Sequence, residues 1–371
     1  EAGLDADDRA VLDALDDDPG PDSVATVLDQ VVAAARSSAA GRHGEALERL
    51  DRTRGEIAAI EDPDWGSELA VAVDNEAGRA EALRGRVAAA QEVFLRALWG
   101  ARRGGHVDWE AMAALNVGNT LSHFGDAEGS LRSYREALAL QRARGQRRAM
   151  LMTLMNIGIV LNEMGAHESA LETQREALAL EAEIGEPAIA AQAYHLLGIT
   201  LGALERRDEA LDAAREAVRL ARDCAHRVFE ARALAGLAEL LRDVGDLDGA
   251  RRALDEAAGV LEPGEMPMFD GRCALADARL RLCAGDLDAA LDSAARAERT
   301  YADLRVQSGV IEVLRCRAEI EERRGDSAAA LATWKRMRTE ELAQQDDRAR
   351  AGAAYQRVRH ELETAHERAR A

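Results

Sequence analysis

One turn motif recurs along this chain at a fixed interval. "GAHESAL" opens at Gly165, and the same turn stands as "GRVAAAQ" from Gly85, "GDAEGSL" from Gly125, "GDLDGAR" from Gly245, "GDLDAAL" from Gly285 and "GDSAAAL" from Gly325. At position 205 the pattern persists without its glycine, as "ERRDEAL", so every step from 85 to 325 is 40 residues. An eighth copy, "GRHGEAL" from Gly41, lies 44 residues before Gly85, the four extra residues falling around "EDPDWGS". A period this long, held over seven consecutive registers, means a repeated supersecondary unit that buries its apolar face only against its neighbours.

Three further marks fix the unit. Seven residues before the turn stand Gly78, Gly118, Gly158, Gly198, Ala238, Ala278 and Ala318; five after it stands Ala or Ser in every copy; twelve after it come Ala97, Ala137, Ala177, Ala217, Ala257 and Ala297, with Thr53 and Met337 in the end copies. Small residues at fixed positions let helices approach closely, and a turn glycine supplies the positive φ that ends a helix. Between the marks the apolar spacing is helical: Leu154, Ile157, Leu161 and Met164 step by three and four. Pro63, Pro187, Pro263 and Pro267 fall between copies, where one helix has ended and the next begins. Each copy therefore reads as two helices joined by a short turn. Composition agrees: aromatics are only 3%, so the core is built from Ala, Leu and Val, which suits closely packed helices better than sheets.

The unit is similar to the tetratricopeptide repeat (TPR), best in "ALNVGNTLSHFGDAEGSLRSYREALAL" and "LMNIGIVLNEMGAHESALETQREALAL". The usual repeat is 34 residues; the 40 found here resembles the longer repeats of bacterial regulators and kinesin light chains. The resemblance implies an all-α, right-handed superhelical solenoid of about eight repeats over residues 24–340. Residues 1–23 are then an acidic N-terminal segment, partly disordered or capping, and 341–371 a capping or signalling helix.

The resemblance also implies that the first helix of each repeat lines a concave groove. That assigns Asn116, Asn119, Met152, Met155, Asn156, Asn162 and His195 to a middle stripe of amides and apolar groups, and Arg232, Arg242, Arg272, Arg279 and Arg315 to a basic stripe after it. Amides can bond both the N–H and the C=O of an extended peptide, and Met adapts to varied apolar partners. The same residues could instead hold helix–helix geometry. The arginines either meet an acidic segment or pair internally, for instance with Glu239 and Glu319.

Catalytic and metal patterns are not found. "HELETAH" at 360–366 sets its histidines six apart, on different helix faces, where a zinc helix needs four. No phosphate-binding loop or nucleophile elbow occurs, so no enzyme, cofactor or metal site is expected within these residues. The net charge is −20, with ten Asp/Glu and one Arg in residues 1–30, which argues against nucleic acid and anionic membranes as partners. Cys224, Cys273, Cys283 and Cys316 form no C-x-x-C pair and read as buried thiols of a reducing compartment, the cytoplasm. Beyond the repeats, Ala351, Tyr355, Val358, Leu362, Ala365 and Ala369 make a short heptad seam. It resembles the connector from bacterial TPR sensor regions to a GGDEF-type diguanylate cyclase, and it could make a homodimer or cap the last repeat. The expected function is a non-catalytic module binding a peptide or protein segment, the regulatory region of a bacterial signalling protein. The alternatives are a small-molecule or signalling-peptide sensor coupled to a transcriptional output, and a static scaffold.

Overall fold

The computed structural model describes residues 22–58, 60 and 62–370. Among these, helices follow one another in pairs and no strand occurs. The pairs are α1 (Asp22–Ala39) with α2 (His43–Ile57), α3 (Pro63–Leu83) with α4 (Val87–Gly104), α5 (Val107–His123) with α6 (Ala127–Arg144), and α7 (Arg147–Glu163) with α8 (His167–Ile184). They continue as α9 (Pro187–Ala203) with α10 (Arg207–Asp223), α11 (Arg227–Asp243) with α12 (Leu247–Val260), α13 (Pro267–Ala284) with α14 (Leu287–Asp303), and α15 (Gln307–Arg324) with α16 (Ser327–Arg370).

The motif's chemistry explains each turn. The turn glycines from Gly41 to Gly325 have φ between 74° and 87°, the left-handed conformation that costs a side chain energy. Where Asp follows the glycine it caps the next helix: Asp126 Oδ1 accepts from the Gly129 N–H at 2.9 Å, and Asp246 Oδ1 from the Gly249 N–H at 2.8 Å. Glu205, where the glycine is missing, still takes φ 57°. A second series, at the junctions between repeats, is Gly105, Gly145 and Gly185, with Ala225 and Arg305 left-handed in later registers. Pro63, Pro187 and Pro267 each sit in the first turn of a helix, where the missing N–H is no loss.

The small-residue marks are contact points. Ala46, Ala90, Ala170, Ala210 and Ala290 are fully buried, as are Ala97, Ala137, Ala177, Ala217, Ala257 and Ala297. A Cβ on Gly78 would lie 2.5 Å from the Phe94 ring, and one on Gly118 2.5 Å from Tyr134, so these glycines admit an aromatic ring from the paired helix. A first helix packs on its own second helix, which packs on the next first helix, as in α3 to α6 and α9 to α12. Consecutive first helices also touch, α9 with α11, α11 with α13 and α13 with α15, so they share one face.

The chain forms two compact units. Among the described residues, unit 1 comprises those up to Val160 together with those from Arg348 onward, and unit 2 is Leu161–Asp347. Two expectations need correcting. No break separates the eighth repeat from a C-terminal helix, because "ELAQQDDRAR" at 341–350 holds no glycine or proline to stop α16, which runs 44 residues. Of the four cysteines expected to be buried, only Cys316 is; Cys224 and Cys273 are half-buried, and Cys283 is exposed at the end of α13 where the chain turns. Among the described residues no helix is long and apolar enough to cross a membrane.

Candidate functional site

In unit 1 the expected amides form a ladder along the first helices. Asn116 Nδ2 donates to Asn75 Oδ1 at 3.2 Å. Asn119 Oδ1 accepts from the Tyr134 hydroxyl at 2.8 Å and from Asn156 Nδ2 at 3.1 Å. The Asn116–Asn75 and Asn156–Asn119 bonds link one repeat to the next, and Tyr134 joins the two helices of its own repeat. These bonds leave the Asn119 Nδ2 donor and the Asn156 Oδ1 acceptor without a further bond among the described residues, on the half-buried to exposed side of α5 and α7. Met152 is half-buried beside them. Met155 is 1% exposed: the expectation that it lines a groove is corrected, since its position on α7 turns it into the core.

In unit 2, Asn162 is used by the fold. Its Nδ2 donates to Thr200 Oγ1 at 2.6 Å and its Oδ1 faces His167 Nδ1 at 3.1 Å. His195 is 6% exposed and packs against Gly236, where a Cβ would stand 2.7 Å from the ring. Burial, and then the charges of Arg232 and Arg272, push its pKa down to about 3, so it is neutral near pH 7.

The basic stripe divides. Arg242 pairs with Asp243 at 2.6 Å, Arg279 with Glu312 at 3.2 Å and Arg315 with Glu341 at 3.5 Å. Arg232 on α11 and Arg272 on α13 occupy the same register one repeat apart, and neither has a carboxylate within ion-pair distance among the described residues, Glu239 and Glu319 included. Burial and the nearby Arg272 charge lower the Arg232 pKa. The Arg232 guanidinium thus feels the Arg272 charge, and neither arginine is in an ion pair among the described residues.

Beside Arg272 lies a recess of about 160 Å3, walled by Glu239, Arg279, Glu312, Tyr301, Ser308 and Met268. Tyr301 was missed in the sequence because it lies on a second helix. Its ring fills the space left by two glycines in neighbouring first helices: a Cβ on Gly309 would stand 2.5 Å from it, and one on Gly271 3.0 Å. Glycine inside a helix costs about 1 kcal/mol, so that pair was a readable signal that something needs the room. A larger cleft of about 510 Å3 opens among α10, α11 and α12, floored by Leu234, Leu237 and Leu241. Its arginines Arg215, Arg219 and Arg222 are paired with carboxylates, while Arg252, also in the lining, has no ion pair among the described residues. Among the described residues no three His, Cys, Asp or Glu converge as a metal site.

By sequence, residues 149–223 match the tetratricopeptide repeat family, and no curated protein matches the chain. By fold, the chain resembles the apo form of the quorum sensor NprR from B. thuringiensis, with a TM-score of 0.66 at 14% identity over 86% of this chain and 88% of that one. Aspartyl phosphate phosphatase F from Bacillus subtilis gives 0.65 at 11% identity, covering 91% and 89%. The Rap conjugation gene regulator of plasmid pLS20, in complex with the Phr* peptide, gives 0.61 at 15% identity, covering 86% and 96%. Identities this low establish a shared fold. The chain thus matches the tetratricopeptide repeat family in sequence over residues 149–223, and over most of its length it shares its fold with these solved structures.

Proposed function

We propose that this chain is a binding module that takes a peptide or protein segment on the first-helix face of unit 2, as the sensing region of a signalling protein. The observation that carries this is the pair Arg232 and Arg272. In a chain of net charge −20, where the neighbouring arginines of the same face are ion-paired, two half-buried guanidiniums outside any ion pair among the described residues support a role in binding. Exposed Ile199 and Met268 on first helices of the same unit give apolar contact. A segment with acidic character satisfies both features. The unused Asn119 donor and Asn156 acceptor of unit 1 are proposed as a separate backbone contact.

The fold likeness to a quorum sensor and to a regulator holding a peptide supports signal binding over static scaffolding. A GGDEF-type or transcriptional output is the matching proposal for any following region, to be read from the parent gene downstream of residue 371.

The test is selection of short random peptides on the full chain, followed by anisotropy titration of the winners. Reversal to Arg232→Glu and Arg272→Glu together weakens binding at least tenfold, and added salt weakens wild-type binding. Asn156→Ala costs about 1 kcal/mol for a peptide that bonds it. Peptides that bind both variants as tightly as wild type place the site elsewhere, and failure to select any peptide sinks the reading.

A further inference from the structure

The last stretch of α16, from Arg348 onward, belongs to unit 1, and two side chains seat it there. Arg348 lies at the C-terminal end of α5, where a Cβ on Gly125 would stand 2.9 Å from its guanidinium. Partial desolvation, and then the Arg348 charge, lower the pKa of His123, the last residue of α5. Seven residues on, two turns along the same face of α16, Tyr355 packs on the unit 1 core, where Met112 and Leu115 of α5 pack as well. Met112, Asn116, Asn119 and His123 step by four, three and four along α5, which puts them on one stripe. The segment from Arg348 to Tyr355 therefore lies along the stripe that carries the unused Asn119 donor.

Its seat is light. Among its described side chains none is buried: Tyr355 and Thr364 are half-buried, whereas Arg348, Gln356, Arg357 and His360 are exposed. Gly352, between the two contacts, has nothing within 4 Å of the position a Cβ would take. Unlike Gly78 and Gly118 it admits no ring, so it weakens the helix without serving the packing. A helix that closed the core permanently would bury a continuous stripe. Charge supplies a looser attraction: residues 348–370 hold six arginines and three glutamates in a chain of net charge −20, and such attraction between exposed charges weakens with salt.

Resting on the reading of Asn119 and Asn156 as a contact for a bound segment, we propose that residues 348–370 are a built-in competitor for the first-helix face of unit 1. While seated, the segment covers that face. A peptide reaches the two amides only when it lifts, so binding there and release of the end of α16 are one coupled equilibrium. Occupancy of unit 1 is thereby converted into exposure of a basic helix.

A fluorescein-labelled synthetic peptide of residues 346–371 tests this on the full-length chain. Wild type, with its own segment in place, binds the probe weakly. The full-length variant carrying Arg348→Ala and Tyr355→Ala binds it at least tenfold tighter, and a probe with the same two changes binds neither chain. In wild type, amides around Tyr355 exchange hydrogen at least tenfold faster than those of α5. A peptide selected on the full chain that depends on Asn156 speeds that exchange further and displaces the probe from the variant. Equal binding of the probe to wild type and variant, or an Asn156-dependent peptide that binds alongside the probe, overturns the competitor and leaves the groove reading intact. If selection yields no peptide, a tenfold gain on the variant upholds an exchangeable segment at this face while the amide reading falls. If the variant does not fold, exchange in wild type decides: the tenfold difference upholds the proposal, and amides around Tyr355 that exchange in step with α5 make the segment part of the core and overturn it.

Discussion

Asp277 shows how single residues are held in unit 2. Its carboxylate is buried, and burial alone would raise its pKa. Bonds from Ser293, Arg251 and Arg281 outweigh that and leave the pKa below the ordinary carboxylate value. Arg296 adds a contact at 3.3 Å. Because the folded pKa lies below the unfolded value of about 3.9, the stability this group contributes is fully present above about pH 4 and is lost as pH falls through the folded pKa. Asp277→Asn should therefore lower the stability measured by urea unfolding at pH 7 by about 2 kcal/mol, and the gap to wild type should close as the titration is repeated below pH 4. A gap of constant size across that range would mean that the carboxylate charge contributes nothing. Which polar groups serve the fold was not readable at this scale. Every arginine of the basic stripe had an acidic residue at some helical spacing, and only side-chain direction decided that Arg279 reaches Glu312 while Arg272 reaches no carboxylate. Asn119, expected to meet a ligand, gives its oxygen to Tyr134 and Asn156, the latter 37 residues away in the next repeat.

Turns and helices were far more legible, because repetition amplifies a weak signal. One glycine proves little; the same glycine at seven registers locates every hairpin, and the structure keeps the conformation even where the residue changes. Glu205, Ala225 and Arg305 adopt φ of 57°, 54° and 56°, a region that costs a non-glycine residue about 1 kcal/mol. Glu205→Gly should thus raise stability by up to about 1 kcal/mol, as should Arg305→Gly, measured by chemical denaturation; Gly165→Ala should lower it by a similar amount. No change at Glu205 would mean that its side chain regains the strain elsewhere. The end of α16 was less legible, since a heptad seam reads alike whether it meets another chain or this one.

The structure settles one member of that seam. Tyr355 packs on the core of unit 1, whose cluster includes Val24, Leu69 and Leu121, and Arg348 lies against Gly125 of the same unit. A chain ending at Asp347 should leave the unit 2 amides protected from hydrogen exchange while those of α1 and α5 exchange faster, with a lower melting temperature for unit 1. If truncation instead halves the mass in solution without changing exchange in α1, the seam serves a dimer. The whole-molecule plan was visible in the sequence only as far as the repeats run; the assignment of residues after 347 to the first unit was not, because nothing in a linear pattern links Tyr355 to Val24.

That assignment has a consequence for synthesis. Most ties between repeats join residues about one repeat apart, as in Asn116 with Asn75 and Trp109 with Glu68, and can form while the chain is still emerging from the ribosome. Unit 1 alone waits for its last piece. At a translation rate of roughly 5–20 residues per second, the interval between the emergence of Val160 and of Arg348 is on the order of 10–40 seconds. Throughout it, the surface that Tyr355 will cover is open to whatever else is present, so unit 1 is begun before unit 2 and completed after it.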